Sequence, residues 1–431
     1  MEAKHPIIIL LLFLCVHTAS AEWSEYISVG GYYKNFFTVI DSPSFEQLPG
    51  SGSAFTGLVN NRIRLNVTST PADWINGALS YDFSPRVQDR SLFDMERVML
   101  GIEESPYRLV DFDDRLYPED EDKLRNFALF HNLDRFMVTF KPEVADIIIG
   151  RQPIAWGSAR VVNPIDIIAP FDFTTLDSED RFGVDAVRIR IPIGMLSEID
   201  AGYVFGNDAA VNESAMFLKG KYYYLQTDIT LLAVGFQENL LIGIDLARAI
   251  GGAGAWCEAG YAFADVLSEE QRSVDDDYFR LSVGADYSFT DKLYGFGEYH
   301  FSTAGECDPD DYISYSINAT GPGASLENMF SFDMGPAYTE GGVYLLGRHY
   351  IGLGATYQIN PLLPFSMLAL FNAGDLSVSL YPQLEYNIKQ DIYLQLGAVV
   401  GLGEKPDSPL ELNSEFGAYA HVYYSSFRIY F

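Results

Sequence analysis

The chain has 431 residues, with 59 acidic against 28 basic side chains and a formal net charge of -31. Such acidity excludes nucleic acid as a partner, because phosphate binding needs a basic stripe. Aromatic residues make up 14% of the chain, glycines number 37, and the mean hydropathy of +0.03 is almost neutral. These values fit strands that alternate apolar and polar faces between aromatic girdles.

The N-terminal region carries Lys4 and His5, an apolar run from Ile7 to Val16, and then Ala19, Ser20 and Ala21 before Glu22. It reads as a secretory signal peptide over 1–21, with the mature chain beginning at Glu22. Leu14 precedes Cys15 where a lipoprotein signal wants a small residue, so lipidation is not expected. Only Cys257 and Cys307 then remain, too few for a disulfide framework, and they fall on a strand and in a distant loop. The longest strictly apolar run elsewhere, 367–371, is far short of the ~20 residues of a spanning helix.

Alternating segments follow along the rest of the chain. Strands are predicted over 26–40, 58–70, 73–86, 127–141, 144–155, 183–193, 197–207, 214–223 and 225–236. Nine more cover 239–249, 253–265, 277–289, 292–303, 347–359, 363–372, 375–388, 390–402 and 413–431. Short turns at 70–73, 141–144, 194–197, 290–292, 360–362 and 389 share one parity. The long connections 41–57, 87–126, 156–182, 266–276, 304–346 and 403–412 take the other. The expected fold is all-β: one transmembrane antiparallel β-barrel over 22–431, with about 18 strands and long external loops. Merging two strands within 214–265 would give 16.

The last strand alternates Tyr423, Ser425, Phe427 and Ile429 with Tyr424, Ser426 and Arg428, and it ends at Phe431. A terminal aromatic on such a strand is the signal read by the barrel assembly machinery of Gram-negative outer membranes. Outer-membrane lipid and lipopolysaccharide are the expected surroundings. Because the segment after Glu22 enters a strand at once, no plug domain and no energy-coupled uptake are expected.

Charges that alternate with apolar residues must face a wet lumen, since Arg or Lys at the lipid midplane costs about 2–4 kcal/mol. The pore-lining candidates are therefore Arg62, Arg64, Arg151, Arg188, Arg190, Arg280, Arg348 and Arg428, against Asp82, Asp200, Glu258, Asp286, Glu298 and Glu385. Two arrangements fit this set: a transverse field acting on solutes, or Arg–carboxylate bridges that fill and stiffen the barrel. The excess acid lies mainly in loops.

The stretch 156–182 contains Val161, Val162, Ile165, Ile167, Ile168, Phe171 and Phe173, a composition too apolar for open water. Folded into the pore it would form a constriction involving Trp156, Asn163, Asp166, Asp172, Asp177 and Asp180. The alternative is an external loop packed on its neighbours. The acidic stretch 111–122 lacks the spacing of a calcium loop and reads as solvated. His300 and Ser302 share one strand face with Glu298, but that face points to the lumen and no third orienting group is identifiable, so no catalysis is expected. No glycine string has phosphate-loop spacing; Gly252, Gly254 and Gly260 read as small residues that permit close packing. Neither a cofactor nor a metal is implied.

The string Gly150, Arg151, Gln152, then Trp156 and Gly157, followed by Asn163, Pro164 and Asp166, resembles porin-like outer-membrane barrels carrying G-R-Q-x-x-x-W-G and N-P-x-D. More distantly it is similar to alginate-export barrels and other substrate-selective channels. The likeness extends through 251–258, 346–350 and 375–382. It implies a channel of about 18 strands, monomeric or trimeric, so that a homo-oligomer is one expected form. The expected function is passive diffusion of small hydrophilic solutes or ions. A second expectation is a non-conducting barrel whose loops 87–126 and 304–346 bind a surface partner.

Overall fold

The computed structural model describes residues 26–41, 55–89, 107–109, 114–119, 123–170, 176–177, 179–267, 277–312, 345–406 and 412–431. The signal-peptide reading, Asp172 and most of the acidic stretch 111–122 lie outside these residues.

Nineteen strands join in one antiparallel sheet, and eighteen of them make a closed barrel. In chain order they are β1 (Ile27–Asp41), β2 (Phe55–Ala72), β3 (Ile75–Gln88), β4 (Asp114–Tyr117), β5 (Phe127–Phe140), β6 (Asp146–Gln152), β7 (Val184–Ile193), β8 (Ser197–Val204), β9 (Ala215–Tyr224) and β10 (Thr227–Phe236). They continue with β11 (Asn239–Ile250), β12 (Ala253–Phe263), β13 (Tyr278–Ser288), β14 (Leu293–Ser302), β15 (His349–Asn360), β16 (Leu363–Asn372), β17 (Val378–Lys389), β18 (Ile392–Leu402) and β19 (His421–Tyr430). The short β4 pairs only with the end of β5, while β3 and β5 pair directly along the wall. Among the described residues no helix is long and apolar enough to cross a membrane.

Closure comes from β1 pairing with β19, from Tyr32 opposite Tyr430 to Asp41 opposite His421. It is required because an open edge in hydrocarbon would leave backbone groups unpaired. The seam runs on to the last residue: Phe431 N donates to Gly31 O at 3.0 Å, and Gly31 N donates to Phe431 O at 2.8 Å.

Four separate strands occupy 215–263, which excludes the 16-strand count. Their connections are tight, as at Gly251 and Gly252, both with positive φ. Residues 237–238 join β10 to β11 directly, so one connection on the long-loop end is short. Two predicted strands are shorter than expected. Pro153 follows the end of β6 and has no N–H to donate. The segment 413–420 is not strand; it turns into the barrel and buries Glu415 and Phe416 completely.

Facing follows the period-two pattern, with Ile189, Ile191, Leu218, Leu231, Ile242, Ile351 and Leu353 exposed on the outer surface. The inner wall is unequal. Between β7 and β12 it is apolar, with Ala186, Val204, Phe217, Leu232, Val234, Leu241 and Ala262 all buried. An apolar inner wall requires a cover, and the connection between β6 and β7 supplies it.

Candidate functional site

Residues 154–168, in the connection between β6 and β7, fold into the lumen. Ile154, Trp156, Ile165, Ile167 and Ile168 join the buried cluster on the apolar arc of the wall. The tip of this segment is held by two buried wall carboxylates. Glu258 on β12 accepts from Ser158 N at 3.0 Å, Ala159 N at 3.1 Å, Ile165 N at 3.0 Å and Asn163 Nδ2 at 3.3 Å. Glu298 on β14 accepts from Arg160 N at 2.7 Å, Val161 N and Val162 N at 3.1 Å, and Trp256 Nε1 at 2.9 Å. Ser158 Oγ donates to Asp245, and Arg160 pairs with Asp286 at 2.8 Å. Six backbone N–H groups thus converge on two carboxylates, which satisfies donors that a buried loop would otherwise leave unpaired.

The sequence strings acquire physical reasons here. Gly150 has φ +113° and an added Cβ would stand 2.2 Å from Phe136 O. At Gly157, φ is +100° and a Cβ would meet Glu258 Oε2 at 2.5 Å. On the wall, Gly243 makes room for the loop tip: a Cβ there would lie 2.4 Å from Ile165 Cγ2. Asp166, 1% exposed, pairs with Arg181 at 2.6 Å. His300 Nδ1 lies 2.9 Å from Ser282 Oγ, which donates to Val162 O at 2.7 Å. His300 and Ser282 thereby support the loop.

A second group covers the inner faces of β1 to β5. Lys34, fully buried, meets Asp177 at 2.8 Å and Glu179 at 2.7 Å. Arg62 reaches Asp82 at 2.6 Å and Asp177 at 3.3 Å. Arg64 lies between Asp82 at 3.2 Å, Asp134 and Asp180 at 3.8 Å. Tyr32 Oη donates to Asp180 at 2.9 Å. The far half of the β6–β7 connection is therefore held by ion pairs, where the near half is held by apolar contact together with Glu258 and Glu298. Burial raises the Asp177 carboxyl, but Lys34 and Arg62 outweigh it and hold the group below its ordinary value.

The other pore-lining candidates are also paired. Arg151 forks onto Asp185 at 2.9 and 2.8 Å. Arg188 forks onto Asp200 at 2.8 and 2.6 Å, and Arg190 reaches Glu198 at 2.9 Å. Arg280 is buried with its guanidinium 5.5 Å from the Tyr278 ring centre. Arg348 lies just ahead of β15, bonded to Gly305 O at 2.8 Å and 3.7 Å from Glu306. Glu385 and Arg428 pair with each other beside the open lumen.

A cavity of about 810 Å³ lies open against β14 to β19 and β1. Its lining includes Phe36, Phe296, Tyr393, Gln383, Gln395, Tyr424, Glu385, Arg428, Asp177 and Glu179. Of the fourteen candidate charges on the wall, only Glu385 and Arg428 border it, joined by Asp177 from the loop. Glu258 and Glu298 hold the loop, and Asp286 accepts from Arg160, Tyr294 and Gly254 N. Trp156, Asn163 and Asp166 lie within the folded loop. The aromatic and amide side chains of β17 to β19 had no distinguishing mark in the sequence beyond their inward parity.

Loop 403–420 contributes a further buried acid. Glu415 accepts from Tyr350, from Asn372 Nδ2 at 2.9 Å and from Leu346 N at 3.1 Å. Burial pushes both Asp166 and Glu415 up to about 7, with Arg181 opposing the rise at Asp166 and the Tyr350 hydrogen bond opposing it at Glu415. Raised carboxyl pKa values mean that the folded state binds more protons than the unfolded state between about pH 4 and 7. Stability should consequently fall as pH rises through that window and level off above it. Denaturant midpoints of the folded barrel at pH 5, 6, 7 and 8 test this, and Asp166→Asn should flatten part of the slope.

No family model matches the chain, and no curated protein matches it. Solved structures do. The OpdK structure with vanillate, from Pseudomonas aeruginosa, aligns with TM-score 0.54 at 10% identity, over 94% of this chain and 99% of that one. OccAB2 of Acinetobacter baumannii gives TM-score 0.54 at 10% identity over 96% and 99%. OccD3 of P. aeruginosa gives 0.51 at 9% identity over 94% and 91%. The chain has the fold of these outer-membrane barrels. The likeness to alginate-export barrels rests on the sequence strings alone.

Proposed function

We propose that the protein is an outer-membrane channel for passive diffusion of small hydrophilic solutes in a Gram-negative bacterium. The observation that carries this reading is the cavity of about 810 Å³ left inside a closed barrel. Phe431 at the seam is then the mark for assembly machinery, and lipid and lipopolysaccharide surround the outer face. Vanillate, present in the OpdK structure, is an aromatic carboxylate. Arg428, the one basic residue among the described residues that line the cavity, is paired with Glu385 in this chain.

Refolded protein in a planar bilayer should show stepwise conductance. Silence from a barrel shown to be folded would overturn the channel and favour a barrel acting through its external loops.

A further inference from the structure

The open lumen has a composition that its charges do not explain. Asp177 and Glu179 are bound to Lys34, Glu385 is bound to Arg428, and Asp391 sits in the exposed turn between β17 and β18. Recognition of an anionic solute would require Arg428, the one basic residue of this lining, to leave Glu385. The uncharged groups are in a different state. Gln395 is 5% exposed and borders the cavity, and its amide has no hydrogen-bond partner among the described residues. Gln383 borders the same space from β17. An amide bordering the cavity offers donors and an acceptor, and a solute with neighbouring hydroxyls pairs with both kinds.

Aromatic rings complete the site. Tyr424 on β19 stands opposite Gly397 on β18, where an added Cβ would lie 2.4 Å from Tyr424 Cζ. Phe296 on β14 stands opposite Gly354 on β15, where a Cβ would lie 1.9 Å from the Phe296 ring. Each ring therefore rests on bare backbone, and both residues line the cavity. Aromatic faces of this kind receive the C–H face of a sugar ring, while amides read its hydroxyl edge. About 810 Å³ lies within the roughly 300–1,000 Å³ range of small-molecule pockets.

We infer that the open half of the lumen is a binding site for an uncharged polyhydroxylated solute, a short saccharide, held by Gln395 and Gln383 and stacked on Tyr424 and Phe296. Traffic through this site rests on the channel reading; occupancy does not. The test is a titration of open-channel current with maltotriose, and with vanillate and choline as anionic and cationic probes. Maltotriose should block in a saturable manner, and the other two should not. Loss of one neutral hydrogen bond corresponds to about tenfold in affinity, so Gln395→Ala should raise the half-blocking concentration about that much. Tyr424→Ala should do the same while Tyr424→Phe retains the block, which separates a stacking platform from a lost hydroxyl. Stronger block by vanillate or choline, or no block by maltotriose, would overturn the assignment. Calorimetric titration of maltotriose into the micelle-folded barrel measures occupancy without conduction, so a silent but sugar-binding barrel would defeat only the channel, and a conducting barrel without sugar binding only the saccharide site.

Discussion

Replacing both Glu258 and Glu298 with glutamine is expected to release the β6–β7 connection from the lumen wall and raise single-channel conductance severalfold, with added current noise. Each carboxylate accepts three backbone N–H groups of the loop. A glutamine amide keeps one oxygen and puts an NH2 where a second acceptor stood, so several donors lose their partner. A buried unpaired N–H costs about 1–3 kcal/mol, whereas about 1.4 kcal/mol already shifts a two-state population tenfold. The apolar contacts of Trp156 and Ile165 oppose release, which makes the double variant the informative one. Unchanged conductance in the double variant would show that those contacts suffice and that the carboxylates only improve the fit. Trypsin adds a second readout, because Arg160 should become cleavable in the folded double variant and remain protected in the parent.

The barrel was legible because a strand in a membrane wall alternates lipid and lumen, and Arg188 and Arg190 interleaved with Val187, Ile189 and Ile191 state that alternation plainly. The inward fold of the connection was legible too, since Val161, Val162 and Ile165 have no place in water. Two features were not. On β10 and β11 the inward Leu232, Val234 and Leu241 are as apolar as the outward Leu231 and Ile242, so nothing in composition separates a wet wall from a covered one. Segment 413–420 mimics alternation through Phe416, Ala418 and Ala420, yet it turns inward around Glu415. The holding role of Glu258 is a third case, because its partners are backbone groups some ninety to a hundred residues away. One signal was present: Glu258 shares its inward face with Trp256, Gly260 and Ala262, and a carboxylate among apolar neighbours needs donors from elsewhere.

Arg64→Leu should destabilise the folded barrel strongly while Arg190→Leu should not, and the contrast follows from burial. Arg64 and its partners Asp82 and Asp134 have side chains only 2–3% exposed. Removing one member of a buried ion group leaves uncompensated charge and costs about 3–5 kcal/mol. Arg62 and Arg135 still reach Asp82 and Asp134, which places the loss near the lower end of that range. Arg190 is 41% exposed beside Glu198, and such pairs contribute about 0–1 kcal/mol. Denaturant midpoints in micelles measure both. Equal effects of the two arginine variants would mean that Arg64 does not hold β1 to β5 and the loop together and is available to a passing solute. Strong loss at Arg64 alone assigns the lumen cations to holding the wall and its cover in place, and leaves recognition in the open half to the uncharged rings and amides of β14 and β17 to β19.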